Sequence, residues 1–251
     1  MMKRLFATVL ICFTVLSCLT GCNFGQLNND VVDENFFCKA IDENNVAVGD
    51  VRTYPETGAV FFPEQIQGYT VSQIGFNSGL GFGGNGYLHT SSENGIIIER
   101  CYFPHTIKEI CDGYMKLTSG GLKIFYCGEV VDLGILATDR DATIYVPAES
   151  YEAFDEVLSQ YYHGSLLKAN VCYNLNYDEN NYYYIDYYEN GEKISYIPPI
   201  PQRDGYTFGG WFQEADCINQ WNFDTDTLEI SEETQEMKLF AKWIVGQQAE
   251  N

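Results

Sequence analysis

Between Val46 and Gly164 the chain is written in short β-branched and aromatic runs with glycine and proline between them. Ala59-Val60-Phe61-Phe62, Gly95-Ile96-Ile97-Ile98-Glu99, Leu122-Lys123-Ile124-Phe125-Tyr126 and Ala142-Thr143-Ile144-Tyr145-Val146 are the clearest. Runs this short predict strands, because a helix needs about 10–12 residues to show an apolar stripe. One helical patch interrupts them at Pro147–Gln160, where Tyr151, Phe154, Val157 and Leu158 fall on one face and Pro147 suits the first turn. A faint internal echo accompanies the strands. Phe62-Pro63-Glu64-Gln65-Ile66, followed by Val71-Ser72-Gln73-Ile74-Gly75, is matched by Phe103-Pro104-His105-Thr106-Ile107-Lys108-Glu109-Ile110-Cys111. One such unit cannot bury its apolar face alone, so repeated units are expected to stack as a solenoid.

Thr143-Ile144-Tyr145-Val146-Pro147-Ala148-Glu149-Ser150-Tyr151-Glu152-Ala153-Phe154 closely resembles the end of a leucine-rich-repeat array of the BspA type. The resemblance covers residues 58–160 and implies a short solenoid closed by a helix. The start departs from the pattern. A glycine-rich loop, Asn77–Gly86, replaces the expected aromatic turn, and Cys111, Tyr114 and Met115 stand where Gly, Ala and Phe are usual.

The C-terminal part carries a different signature. Val171–Tyr177 alternates apolar and polar residues, as a half-buried strand does. Tyr183–Tyr188 and Lys193–Ile197 flank Glu189-Asn190-Gly191-Glu192, and Asn-Gly predicts a tight hairpin. Then come Arg203-Asp204-Gly205-Tyr206-Thr207-Phe208-Gly209-Gly210-Trp211-Phe212, Trp221-Asn222-Phe223 and Leu239-Phe240-Ala241-Lys242-Trp243. Together these resemble the Listeria–Bacteroides, or internalin B-type, repeat. That resemblance implies a small β-grasp-like fold of the kind found in bacterial surface proteins, with the aromatic residues filling its core and Gly205 and Gly210 easing turns.

At the N-terminus, Lys3 and Arg4 precede an apolar run from Leu5 to Leu19, and Leu19-Thr20-Gly21-Cys22 follows. A basic start, a short apolar stretch and small residues make a secretory signal, too short for a membrane span. A cysteine directly after the small residues resembles a bacterial lipobox, which implies cleavage before Cys22 and a lipid on its thiol. Beyond residue 21, 12 of the 14 basic residues stand against all 35 acidic ones, a formal charge of −23. A surface this acidic repels nucleic acid. Six further cysteines, Cys38, Cys101, Cys111, Cys127, Cys172 and Cys217, permit three disulfides, and free thiols are equally compatible with their spacing.

Motifs for chemistry are weak. Gly81-Phe82-Gly83-Gly84-Asn85-Gly86 satisfies G-x-G-x-x-G, but Thr90, Ser91 and Ser92 open no helix to receive a phosphate. His89, His105 and His163 are scattered, and Asp224-Thr225-Asp226 lacks the glycine and closing glutamate of an EF-hand. No catalytic residue, cofactor or metal site is expected, and the chain is read as a non-enzyme.

Ten tyrosines lie between Tyr161 and Tyr196. Alternation buries only half of a strand's side chains. Either exposed members of Tyr182, Tyr183, Tyr184, Tyr187 and Tyr188 form a binding face for a protein or glycan, or they fill a seam between modules.

The sequence thus predicts a mainly β chain: a signal peptide at 1–21, an acidic tether at 22–45 with a short strand around Phe36–Ala40, a leucine-rich-repeat-like solenoid with a terminal helix at 46–165, a β-grasp-like repeat at 168–245 and a tail at 246–251. The expected function is adhesion or binding at the extracytoplasmic face of a bacterial membrane, anchored through Cys22. An envelope spacer without a ligand is the alternative, and a degenerate solute-binding protein or hydrolase is a remoter one.

Overall fold

The computed structural model describes residues 30–76, 88–89, 95–111, 115–116, 121–129, 142–160, 162, 164–177, 182–231, 233 and 235–246. Cys22 and the glycine-rich motif at 81–86 lie outside these residues. The described residues from Val31 onward form one compact unit. It is mainly β, and no helix among the described residues is long and apolar enough to cross a membrane.

The strands are β1 (Asp30–Val32), β2 (Phe36–Ala40), β3 (Asn45–Val51), β4 (Ala59–Phe61), β5 (Gln65–Ile66), β6 (Tyr69–Ile74), β7 (Leu88–His89), β8 (Arg100–Phe103), β9 (Glu109–Ile110), β10 (Met115–Lys116), β11 (Lys123–Tyr126) and β12 (Thr143–Val146). The helix α1 (Tyr151–Leu158) follows, then β13 (Ser165–Lys168), β14 (Val171–Asn174), β15 (Tyr182–Asp186), β16 (Tyr206–Phe212) and β17 (Met237–Val245). One sheet runs β1-β2-β3-β6-β5, with β9 pairing beside β6. A second runs β13-β12-β11-β8-β4, and a third β15-β14-β17-β16; β7 and β10 pair separately.

The second sheet is a ladder in which every neighbouring pair is parallel and the strands follow one another in chain order. Its register puts like on like. Val60, Cys101, Ile124, Ile144 and Leu166 align across one row. Phe61, Tyr102, Phe125, Tyr145 and Leu167 align on the next, which points to the opposite face. Val60, Cys101, Ile124 and Ile144 of the first row and the following Phe62, Phe103, Tyr126 and Val146 are buried in a core that also holds Val46, Val48, Val71 and Ile74 of the first sheet, and Leu166 packs half-buried against it. The echoing segments seen in the sequence lie side by side here, with Gln73 opposite Glu109 and Ile74 opposite Ile110. Helix α1 covers the end of that core with Phe154 and Leu158, and Phe154 meets Tyr126 edge-on at 5.7 Å.

The other face of the ladder carries an aromatic stack. Phe61, Tyr102, Phe125 and Tyr145 lie ring on ring at 4.1, 4.7 and 4.7 Å. Each such pair adds about 0.5–1.5 kcal/mol beyond its buried area. This face is covered by the third sheet, and the two share a second core with Tyr173, Tyr184, Trp211 and Leu239. From β4 to β12 the ladder is therefore buried on both faces, which explains its near-continuous apolar runs, while the edge strand β13 leaves Leu167 exposed.

Gly58 sets the ladder's first turn. Its φ is +70°, its carbonyl accepts the Glu99 and Arg100 N–H groups, and a Cβ there would lie 2.8 Å from the Ile97 carbonyl oxygen. A backbone atom cannot move aside as a side-chain tip can. Gly58→Ala should cost about 1–3 kcal/mol in chemical denaturation, and unchanged stability would rule this account out. Gly210, at φ +108°, sits where the β16–β17 register shifts between Phe208 and Trp211.

Three expectations are corrected. The stretch 22–45 is not mainly a tether: the short strand expected around Phe36–Ala40 is present as β2, but β1 precedes it, and Val31, Phe36 and Cys38 enter the first core. The strand expected over Gly95–Glu99 begins instead at Arg100. Asn190 and Gly191 do form a turn, with Gly191 at φ +88°, yet residues 193–197 are not a strand. Their partners lie elsewhere. The Tyr188 hydroxyl accepts the Ser195 and Tyr196 N–H groups, and Leu228 pairs with Gly191 and Glu192 through backbone hydrogen bonds.

Candidate functional site

The tyrosines single out the seam between ladder and third sheet. Tyr182, Tyr183, Tyr184 and Tyr188 are buried, and Tyr187 is half-buried. They do not form an open binding face. The reason is geometric: β15 lies against the aromatic stack, so even its side chains that point away from the third sheet's own core are covered by the ladder. Tyr184 donates its hydroxyl to the Phe62 carbonyl at 2.8 Å and meets Phe61 edge-on at 5.1 Å. Tyr145 and Tyr187 lie 5.2 Å apart. The Cys127 thiol reaches the carbonyls of Phe103 on one side and Tyr182 and Tyr183 on the other.

A buried ion pair closes the seam. Arg100 opens β8 and Asp186 ends β15; they are 7% and 0% exposed. Arg100 Nη1 donates to Asp186 Oδ1 at 2.5 Å and to the Tyr102 hydroxyl at 2.9 Å. That hydroxyl donates in turn to Asp186 Oδ2 at 2.9 Å, and the Tyr187 N–H reaches Oδ1 at 2.7 Å. The guanidinium carbon sits 4.4 Å from the Tyr196 ring centre, 5.1 Å from Phe125 and 5.3 Å from Tyr188. Burial pushes the Asp186 carboxyl up to about 6, against the pull of Arg100, the Tyr187 amide and the hydroxyls of Tyr102 and Tyr188. Burial is the strongest single influence and works against the Arg100 charge, but Asp186 together with the hydroxyls of Tyr102 and Tyr188 outweighs it and holds the guanidinium above its ordinary value. Donors on both carboxylate oxygens, from Arg100 and the Tyr187 amide on Oδ1 and from Tyr102 on Oδ2, are the geometry of a charged pair.

Two clefts open beside this pair. The larger, about 420 Å³, is lined by Arg100, Lys123, Tyr187, Glu189, Glu192 and Ser195 among others. The smaller, about 320 Å³, has Glu99, Arg100, Lys123 and Tyr196 in its wall. Arg100 and Lys123, opposite each other in the ladder register, belong to both. Of the five tyrosines expected at a binding face, Tyr187 and Tyr188 line the larger cleft. The sequence pointed to neither Arg100, Asp186, Lys123 nor Tyr196. The signal that marks Asp186 is a carboxylate inside Tyr182-Tyr183-Tyr184-Ile185-Asp186-Tyr187-Tyr188, a run too apolar to leave it unpaired.

Other candidates take structural parts. None of the six cysteines beyond Cys22 is in a disulfide; burial raises the thiols of Cys38, Cys101, Cys127 and Cys172, so these pack as small apolar groups. His105 Nδ1 lies 3.2 Å from Glu64 Oε1. The side chains of His89 and His163 lie outside the described residues. Asp226 is spent on a local turn, its Oδ2 accepting the Asn222 N–H at 2.9 Å and its Oδ1 the Thr225 hydroxyl. Among the described residues no three acidic, histidine or cysteine groups gather as a metal site.

Residues 173–242, which span most of the third sheet, match the Listeria-Bacteroides repeat domain family. The chain is thus a mainly β protein that carries one such repeat domain. A 49-residue stretch is 35% identical to a provisionally named Gly-rich membrane protein of Evansella cellulosilytica, over 20% of this chain and 5% of that protein. A 79-residue stretch is 29% identical to a second provisionally named membrane protein of the same organism, over 27% of this chain and 11% of that protein. The chain spans only a small part of the length of either relative.

Proposed function

We propose that this chain is a lipid-anchored binding or adhesion module at the extracytoplasmic face of a bacterial cell membrane, and that it binds without catalysing. The observation that carries the proposal is the Listeria-Bacteroides repeat at residues 173–242, fixed by an aromatic seam to a rigid parallel ladder. Names of two relatives as membrane proteins support the location. The ladder is proposed as a short leucine-rich-repeat-type solenoid: β8, β11, β12 and β13 recur about every twenty residues, within the period such repeats use. The third sheet is proposed as β-grasp-like, because its order places a parallel pair, β14 and β17, between two antiparallel edges.

Cys22 is the proposed anchor, and its chemistry is directly testable. Growth on labelled fatty acid should label the wild type and leave Cys22→Ser unlabelled and released into the medium. Two acyl chains make the difference large, since each buried methylene adds about 0.8 kcal/mol. A wild type that takes up no label would sink the anchor. The binding reading is tested by screening the full chain against extracellular matrix proteins, glycans and envelope proteins for saturable binding. Failure against all three classes would favour the spacer alternative.

A further inference from the structure

We infer that the paired clefts over Arg100 and Lys123 form a subsite for neutral sugar residues of a glycan. The inference rests on the binding reading above and narrows its partner to one chemistry. Four observations point the same way. First, the clefts measure about 420 and 320 Å³ and share Arg100 and Lys123 as a common wall. Such volumes suit small rigid ligands, and two adjoining ones suit a short chain of rings.

Second, hydrogen-bonding capacity is left over. The backbone N–H of Lys123 is held by the Glu99 carbonyl, but its side chain makes no hydrogen bond or ion pair among the described residues. Arg100 spends only Nη1 on Asp186 and Tyr102, which leaves Nε and Nη2 without partners there. Ser195 uses its backbone N–H on Tyr188. Glu189 and Glu192 supply acceptors, with Glu189 Oε1 taking the Tyr187 hydroxyl and Glu192 Oε2 the Glu189 N–H. A carboxylate has about four lone-pair sites, so each keeps capacity. Donors and acceptors interleaved in this way match vicinal hydroxyl groups, each of which both donates and accepts.

Third, the wall carries half-buried tyrosines, Tyr187 in the larger cleft and Tyr196 in the smaller. Their rings offer apolar surface to the C–H face of a sugar while a polar tip stays wet. Fourth, the clefts carry no net positive charge. Arg100 is neutralised by Asp186, and Lys123 and Lys193 stand against Glu99, Glu189 and Glu192. An anionic polymer would find no net positive field, and the chain's overall formal charge of −21 would repel it.

The test is calorimetric titration of the full chain, carrying Cys22→Ser for solubility, with maltotriose, cellotriose, chitotriose, mannotriose and trigalacturonic acid as probes. Saturable binding of at least one neutral trisaccharide is expected below about 10 mM. Lys123→Ala removes an amine that holds nothing in place, and it should weaken that binding at least about tenfold with no shift in the thermal midpoint. Tyr187→Ala should weaken it as well, and serves as the second variant. No saturation with any neutral probe, binding of trigalacturonic acid alone, or full affinity in both variants would overturn the inference. The broader binding reading fails separately, only if the screen against matrix, glycan and envelope classes is also empty.

Discussion

Asp186→Ala should lower the unfolding free energy by about 3–5 kcal/mol, one of the two largest single-residue effects in the chain. The guanidinium of Arg100 would remain 7% exposed with its countercharge gone. It would keep the Tyr102 hydroxyl, but that hydroxyl and the Tyr187 N–H would each lose an acceptor. An uncompensated buried charge costs far more than the pair itself contributes, because the pair's attraction mostly offsets its own desolvation. The same reasoning fixes the double variant. Arg100→Met with Asp186→Leu removes both charges, and should be much closer to wild type than Asp186→Ala alone. Urea denaturation of the three variants measures the coupling directly. A loss below about 1 kcal/mol for Asp186→Ala would place this pair with ordinary surface ion pairs and undo the account of the seam.

Trp211→Ala should cost about 3–5 kcal/mol, and the whole compact unit should feel it. Trp211 is 3% exposed and packs edge-on against Tyr173 at 5.1 Å and Phe208 at 5.3 Å, with Tyr183 at 6.3 Å. Tyr183 touches Tyr184 at 4.4 Å, and Tyr184 is hydrogen-bonded to the ladder through Phe62. A cavity at Trp211 therefore loosens the rings that grip the aromatic stack. Unfolding followed by near-ultraviolet and far-ultraviolet circular dichroism should give one coincident transition in the wild type and one in the variant, shifted together. Two separated transitions, with the ladder's midpoint unmoved by Trp211→Ala, would mean that the repeat folds independently of the ladder.

Much of the local structure was legible in the residues. Short runs bounded by glycine and proline became strands, and Tyr151, Phe154 and Leu158 became a helix, because backbone preference and side-chain period act over a few residues. The repeat domain was legible for a similar reason: its tryptophans and glycines recur at fixed spacing. The candidate site was much less so. The sequence does not separate the half-buried Tyr187 from its buried neighbours Tyr182, Tyr183, Tyr184 and Tyr188, since alternation says which side chains share a face but not what covers it. The strand Phe36–Ala40 is legible too, but its place in the first core is not, because its apolar side chains are outnumbered by the acidic residues around them.

The sequence by itself determined that this chain is mainly β, that its strands recur, that a Listeria-Bacteroides repeat lies near its end and that the chain is strongly acidic. These follow from composition and short-range order. Only the tertiary structure decided that the repeat buries the outer face of the ladder, that Arg100 finds Asp186 across 86 positions, and that Lys123 and Tyr187 share a cleft. Such pairings depend on which faces meet. Facing is set by the register of the ladder, in which β4, β8, β11 and β12 each place side chains in both cores.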